Sequence, residues 1–326
     1  MAMRKSICAF ASLLAAIALA AVSCQQTKRG EYAAGAGTVF CDDGFKAILD
    51  EEIEVFEYSY PKASIIPRYV SETEAIDTLL SDNTQSIIVT KELTKDQIKY
   101  IKDKYKHIVR QKCIAVDAVA LITNKDNPVK ELSTQEISRI LNDTTRIKLV
   151  FDNNGSSTVS YLRDKFLPKG QNISDHAYAT AAKTNADVFD YIKKDKDAIG
   201  VISVSWLGED LSAARKVPMD KRMADYSVQG DTIATELTSE VNIIKVSNPC
   251  EDNDFSTVSY KPYQAYIASG EYPLFRKVYM ISTAPNSTVM HSFFSFMTGP
   301  VGQKIMLRTG ILPYNMGQPV INLIER

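Results

Sequence analysis

The segment with the most chemical content is Asp152-Asn153-Asn154-Gly155-Ser156-Ser157-Thr158. It follows an apolar run and opens a stretch in which Val159, Leu162 and Phe166 fall on one helical side. The first N–H groups of a helix have no partner inside it, and the helix dipole favours negative charge there. Gly155 permits close backbone approach, and Ser156, Ser157 and Thr158 add hydroxyl donors. The combination suits a small oxyanion. It lacks the lysine of a nucleotide-binding P-loop, so nucleotide hydrolysis is not indicated. A plain capped turn between strand and helix accounts for the same residues. Two further segments have the same character. Val89-Thr90-Lys91-Glu92-Leu93 ends a buried strand, where open α/β sheets place ligands, and Thr90 and Lys91 offer a hydroxyl and a charge. A solvated loop before the Thr94 cap serves equally well. Cys41-Asp42-Asp43-Gly44-Phe45 is again a strand end meeting a helix start, with Gly44 and Phe45 at the turn and an Asp N-cap as the simpler account. The three junctions agree with one another more than any one of them specifies.

The elements that must position these junctions alternate between strand and helix. Strands are expected at Thr38–Phe40, Ala63–Val70, Ser86–Val89, Ile114–Ile122, Ile147–Phe151, Ile199–Ser203 and Lys277–Ile281. Helices are expected from Phe45 to Tyr58, after the capping boxes that begin at Ser71 and Ser133, after Thr94, from Val159 to Leu167, around Val188–Ile192, and in the last 40 or so residues. Alternation of this kind implies α/β sheets covered by helices on both faces. Residues 208–262 do not resolve into a clear pattern.

Composition limits the function classes. The chain has 326 residues, 45% of them hydrophobic, which predicts about two domains. Lys+Arg number 38 against 39 Asp+Glu, so no basic field points to nucleic acid. None of His107, His176 and His291 has metal-ligand or triad spacing, and the cysteines form no CxxC pair. No metal, no cofactor and no enzymatic activity are expected. Residues 1–24 read as an export signal: Arg4 and Lys5, an apolar run from Ile7, then Ala21-Val22-Ser23-Cys24, a lipobox-like end. Cys24 is the expected lipidation site, with residues 25–37 as a flexible tether. Cys41, Cys113 and Cys250 are then left, enough for at most one disulfide, and the sequence does not choose the pair.

In the order of its segments the chain resembles the periplasmic phosphate-binding proteins of ABC importers, the PstS-like family, over essentially the whole mature chain. Asn154-Gly155-Ser156-Ser157-Thr158 is similar to that family's phosphate loop. Leu132–Leu141 resembles the helix upstream, Asp197-Ala198-Ile199-Gly200 a landmark strand, and Tyr272-Pro273-Leu274, Gly302-Gln303 and Gly310-Ile311-Leu312-Pro313 its C-terminal landmarks. Departures are specific. Asp152 stands where the family has an arginine, Thr90-Lys91 where it has Ser-Asp, and Asp43-Gly44-Phe45 where it has Ser-Thr-Phe. The resemblance implies an α/β, two-lobed, type II periplasmic binding protein-like fold with two crossover hinge strands. Lobe one would hold residues 38–113 and 281–326, and lobe two residues 114–280. It implies a lipid-anchored, periplasm-facing receptor that binds phosphate or a related oxyanion and hands it to importer membrane subunits. The ligand residues carried over are Gly155, Ser156, Ser157, Thr158, Thr90, Gly44 and Phe45, with Lys91 as the replacement charge. The same fold with a changed or lost ligand, serving as an envelope sensor or scaffold, is the alternative.

Overall fold

A computed structural model describes residues 33–142, 147–173, 179–208, 217–227, 233–234, 237–248, 258–315 and 321–322. The export signal, Cys24, most of the tether, His176 and Cys250 lie outside the described residues. The strands are β1 (Gly35–Asp42), β2 (Ala63–Val70), β3 (Ser86–Val89), β4 (Arg110–Thr123), β5 (Glu131–Ser133), β6 (Lys148–Phe151), β7 (Ala179–Ala181), β8 (Ala198–Ser203), β9 (Ile233–Ala234), β10 (Asn242–Ile243), β11 (Lys245–Ser247), β12 (Phe275–Ser282), β13 (Leu312–Pro313) and β14 (Ile321–Asn322). The helices are α1 (Lys46–Ser59), α2 (Glu72–Leu80), α3 (Lys95–Tyr105), α4 (Thr134–Asn142), α5 (Ser157–Phe166), α6 (Asn185–Lys194), α7 (Met219–Ser227), α8 (Gln264–Ala268), α9 (Val289–Met297) and α10 (Pro300–Arg308).

One sheet runs in the order β2-β1-β3-β12-β4-β8-β6-β7. β4 passes through both halves of it. Its residues Arg110–Ala118 pair antiparallel with β12, and Val119–Thr123 pair antiparallel with β8. The near-continuous apolar run Ile114–Ile122 follows, because nearly all of this strand's later residues are buried. Two apolar cores part along it. One contains Ile114, Ala115, Val278 and Met280 with Phe56, Phe293 and Met306. The other contains Ala118 to Ile122 with Leu162, Val188, Ile202, Tyr272 and Leu274. The result is the expected two-lobed α/β architecture. The turns that start helices are capped as their sequences require: Thr94 and Thr184 form capping boxes, and Ser71 and Ser156 accept from Glu74 N and Val159 N.

Two expectations need correcting. Gly35–Gly37, assigned to the tether, are the start of β1 and pair parallel with Ala63–Ile65. A Cβ on Gly37 would lie 2.4 Å from Met290 Sδ, so its lack of a side chain serves close packing of α9 on the strand. α7 falls within the stretch assigned to lobe two, yet it packs on lobe one. Tyr226 meets Val55 and Ile305, and Arg222 forms ion pairs with Glu51 (2.7 Å) and Glu54 (2.6 Å) of α1. An apolar face on α1 and α10 would otherwise be exposed.

Candidate functional site

Two of the three junctions singled out in the sequence, Cys41–Phe45 and Asp152–Thr158, meet where the lobes join, while Thr90 of the third is held within lobe one. From lobe one come Asp42, at the end of β1, and the 3-10 turn Asp43–Phe45. From lobe two come the N-termini of α5 and α6 and the turn after β8. Asp42 accepts from Gly44 N within its own turn at 3.0 Å. It also reaches across, accepting from Ser157 N at 3.0 Å and Ser157 Oγ at 2.9 Å. Asp43 accepts from Asn185 N at 3.0 Å and Asn185 Nδ2 at 3.2 Å, a second carboxylate on a second helix N-terminus. Ser205 Oγ donates to Gly44 O at 2.6 Å. At the edge of this contact Thr73 N donates to Gly155 O, and a Cβ on Gly155 would lie 3.0 Å from Ser71 Oγ. Gly155 is thus the residue that lets the α5 loop close on the start of α2.

Asp152 is buried within the junction. It accepts from Thr158 Oγ1 at 2.9 Å and Asn185 Nδ2 at 3.2 Å. Ser156 Oγ lies 2.8 Å from Thr158 Oγ1, so these two hydroxyls organise the loop behind Ser157. Thr90 gives both its N–H and its hydroxyl to Glu72 Oε2. Lys91 is exposed and pairs with Asp164 at 2.7 Å. Asp164 lies seven residues along α5 from Ser157, about 10 Å at the helical rise. The central positive group is another residue, Arg276 on β12. Its Nε donates to Asp117 on β4 at 2.9 Å, and its guanidinium lies 5.5 Å over the Phe45 ring. Asp117 also accepts from Ser203 Oγ at 2.9 Å. Arg276 is 5% exposed; its Nη2 lies 2.9 Å from Asp117 Oδ2, and its Nη1 has no hydrogen-bond partner among the described residues.

The electrostatics follow from burial. Asp42, Asp117 and Asp152 are all fully buried. Loss of hydration raises the pKa of each, and Arg276 opposes the rise in all three. For Asp42, burial and then the nearby Asp152 push it to about 7. Phe45 and Gly44 therefore sit in the candidate site as a ring beneath the guanidinium and a backbone bridge. Sequence reasoning missed Arg276, Asp117 and Asn185. Arg276 had one local signal: in β12 it occupies the inward face with Val278 and Met280, a charge where alternation calls for an apolar residue.

We expect Lys91→Ala to have a small effect. An exposed ion pair contributes about 0–1 kcal/mol, so thermal denaturation should move by no more than a few degrees. Anion affinity, measured by titration calorimetry, should change by less than about threefold.

A two-lobed α/β receptor fold, closed on the N-termini of two helices, is the class these features define. The PBP superfamily domain matches residues 25–301, and the chain belongs to that superfamily. Among curated proteins it is similar to the phosphate-binding protein PstS of Pseudomonas aeruginosa, 20% identical over 290 residues, covering 80% of this chain and 77% of that one. A phosphate ABC transporter substrate-binding protein with bound phosphate from Clostridium perfringens superposes with a TM-score of 0.64 at 17% identity, over 86% of this chain and 100% of that one. An ABC-type phosphate transport receptor from Vibrio cholerae gives 0.57 at 17% identity, again over 86% and 100%.

Proposed function

We propose that the protein is a solute-binding protein, lipid-anchored through Cys24, that captures phosphate or a similar small oxyanion in the cell envelope for an ABC importer. The observation that carries this reading is the grip of the α5 N-terminus on a carboxylate, through Ser157 N–H and Ser157 O–H together. Donors that hold one oxyanion in this way are placed to hold another. Arg276 supplies the charge that Asp152 does not, from a different strand, with guanidinium N–H groups still to be used. The matched PstS and phosphate receptor proteins bring the ligand class. The signal-like residues 1–24 and lipobox-like Cys24 bring the anchor; among the described residues no helix is long and apolar enough to cross a membrane.

Titration calorimetry with phosphate, then sulfate, tests the proposal. Saturable phosphate binding is expected, and Ser157→Pro should abolish it. Proline is favoured at the first helical position, and Ser156 already has the extended backbone (φ −71, ψ 160) that a following proline requires. The substitution therefore removes two donors without breaking α5. Each hydrogen bond to a charged group contributes about 1.5–3 kcal/mol, so the expected loss is roughly 100-fold or more. No saturable heat with either ion would favour the second reading, a receptor whose ligand has changed or been lost. The occupation of Ser157 by Asp42 and of Thr90 by Glu72 is what supports that second reading.

A further inference from the structure

The donors that would receive an anion are held by the protein's own carboxylates. Ser157 N–H and O–H hold Asp42, Asn185 N–H holds Asp43, and Thr90 N–H and O–H hold Glu72. Only the first two of these cross between the lobes. Asp42 uses both carboxylate oxygens on α5 and takes a further bond from Gly44 N, so its position is fixed from both sides. Beside it, Arg276 is buried, with Nη2 2.9 Å from Asp117 Oδ2 and Nη1 without a hydrogen-bond partner among the described residues. A carboxylate with two oxygens, both already committed to Ser157 and Gly44, leaves Nη1 unserved. An oxyanion with more oxygens could take the Ser157 donors and the guanidinium together. It could do so only after Asp42 leaves.

We propose that Asp42 is an intramolecular ligand of this site, closing the lobes on α5 and setting the affinity for an external anion, which binds only in exchange for it. The inference rests on the oxyanion reading above for its second half. Its first half, closure by Asp42, stands apart from any ligand. Exchange has a defined consequence. When the binding-competent form is a fraction of the population, apparent affinity falls by that fraction. Removing Asp42 raises the fraction and tightens binding, although the side chain lies against the anion's donors. A residue that contacted the anion productively would give the reverse.

The chain has one tryptophan, Trp206, next to Ser205, whose hydroxyl bridges to Gly44 in the other lobe. Its emission, together with the radius of gyration from small-angle scattering, reports lobe separation in the purified protein without added anion. The wild-type protein is expected to be compact. Asp42→Ala should have a larger radius and red-shifted emission. Asp42→Asn keeps the side chain's size but places an amide N–H₂ against the Ser157 or Gly44 donors, and should open the lobes in the same direction. Asp103→Asn removes an exposed carboxylate of lobe one that pairs with Lys99 on α3, away from the site, and serves as the control for charge alone. It should remain as compact as wild type. With inorganic phosphate, Asp42→Ala should bind about tenfold tighter or more than wild type, and Asp103→Asn should change by less than about threefold. Asp42 variants as compact as wild type, or phosphate binding weakened by Asp42→Ala, would overturn the inference. If no variant binds phosphate, the oxyanion reading fails, and the scattering and emission data alone decide whether Asp42 closes the lobes.

Discussion

Arg276→Met lowers stability by about 3–5 kcal/mol, the cost of leaving a buried charge without its partner. Asp117 is fully buried, and among the described residues Arg276 is its only cationic partner, with N–O distances of 2.9 Å from both Nε and Nη2. The guanidinium also lowers the pKa of Asp42 and Asp152, so its loss affects three carboxyls rather than one. The sign of the pH dependence is fixed by this. Each carboxyl already has a folded-state pKa above its ordinary value, and removing Arg276 raises it further. Stability is then lost as pH rises from the ordinary carboxylate value, 3.8, through the folded value. The gap between Arg276→Met and wild type should be widest above pH 7 and should narrow on acidification. The pair Asp117→Asn with Arg276→Met leaves no orphan charge at Asp117 and should recover part of the loss. Denaturant unfolding across pH 5–8 measures all of this. A single mutant as stable as wild type at pH 8 would show that the buried pair does not form.

Glu52→Met should act in the opposite direction. Glu52 lies within α1, fully buried, and neither of its carboxyl oxygens has a hydrogen-bond partner. Gly302 of α10 packs against it: a Cβ there would lie 3.0 Å from Glu52 Oε2. Burial, and then the neighbouring Glu51, raise its pKa well above the ordinary 4.5. An unsatisfied buried polar group costs about 1–3 kcal/mol, and methionine of similar length relieves it. The gain should be greatest at neutral pH, where the unfolded chain ionises Glu52 and the folded chain does not. Below about pH 4.5 both states are protonated, and the gain should shrink to the hydrogen-bonding part. Thermal melts of Glu52→Met and Glu52→Gln at pH 4 and pH 7.5 test it. Equal or lower melting temperatures at pH 7.5 would show that Glu52 has a partner after all.

The regular elements were legible because their signals are local. β2 and β3 have the bounds that apolar content and flanking polar residues predict, and α2 and α3 start where Ser71 and Thr94 cap them. β1 was shortened because Gly35, Ala36 and Gly37 carry no side chains whose pattern could be read. Their place is set instead by the parallel pairing to β2 and by α9. The three junctions were legible as helix starts and strand ends. What each donor would hold was not, because Asp42 and Ser157 are 115 residues apart. Asp42 looked like an ordinary cap and is one, through Gly44 N, while doing a second thing across the lobes. Asp117 was hidden inside the apolar run of β4, and its partner Arg276 is 159 residues away. The docking of α7 on lobe one depends on Arg222 meeting Glu51 and Glu54, a pairing with no sequence period to announce it.

The placement of β12 has a consequence for how the chain is built. β12 lies between β3 and β4, with Ser282 opposite Ser86 and their hydroxyls 2.9 Å apart across 196 residues of chain. The strands β6, β7 and β8 of the other half, by contrast, come from one contiguous stretch. A chain that emerges N-terminus first can therefore pair β6, β7 and β8 while β3 still lacks its neighbour. Until residue 282 arrives, Ser86-Ile87-Ile88-Val89, buried along its whole length in the finished fold, presents an open apolar edge. Such edges invite pairing with other chains. The last sixth or so of the sequence is thus what completes the first lobe, and chains cut short before Phe275 should aggregate through β3 rather than fold to a stable half.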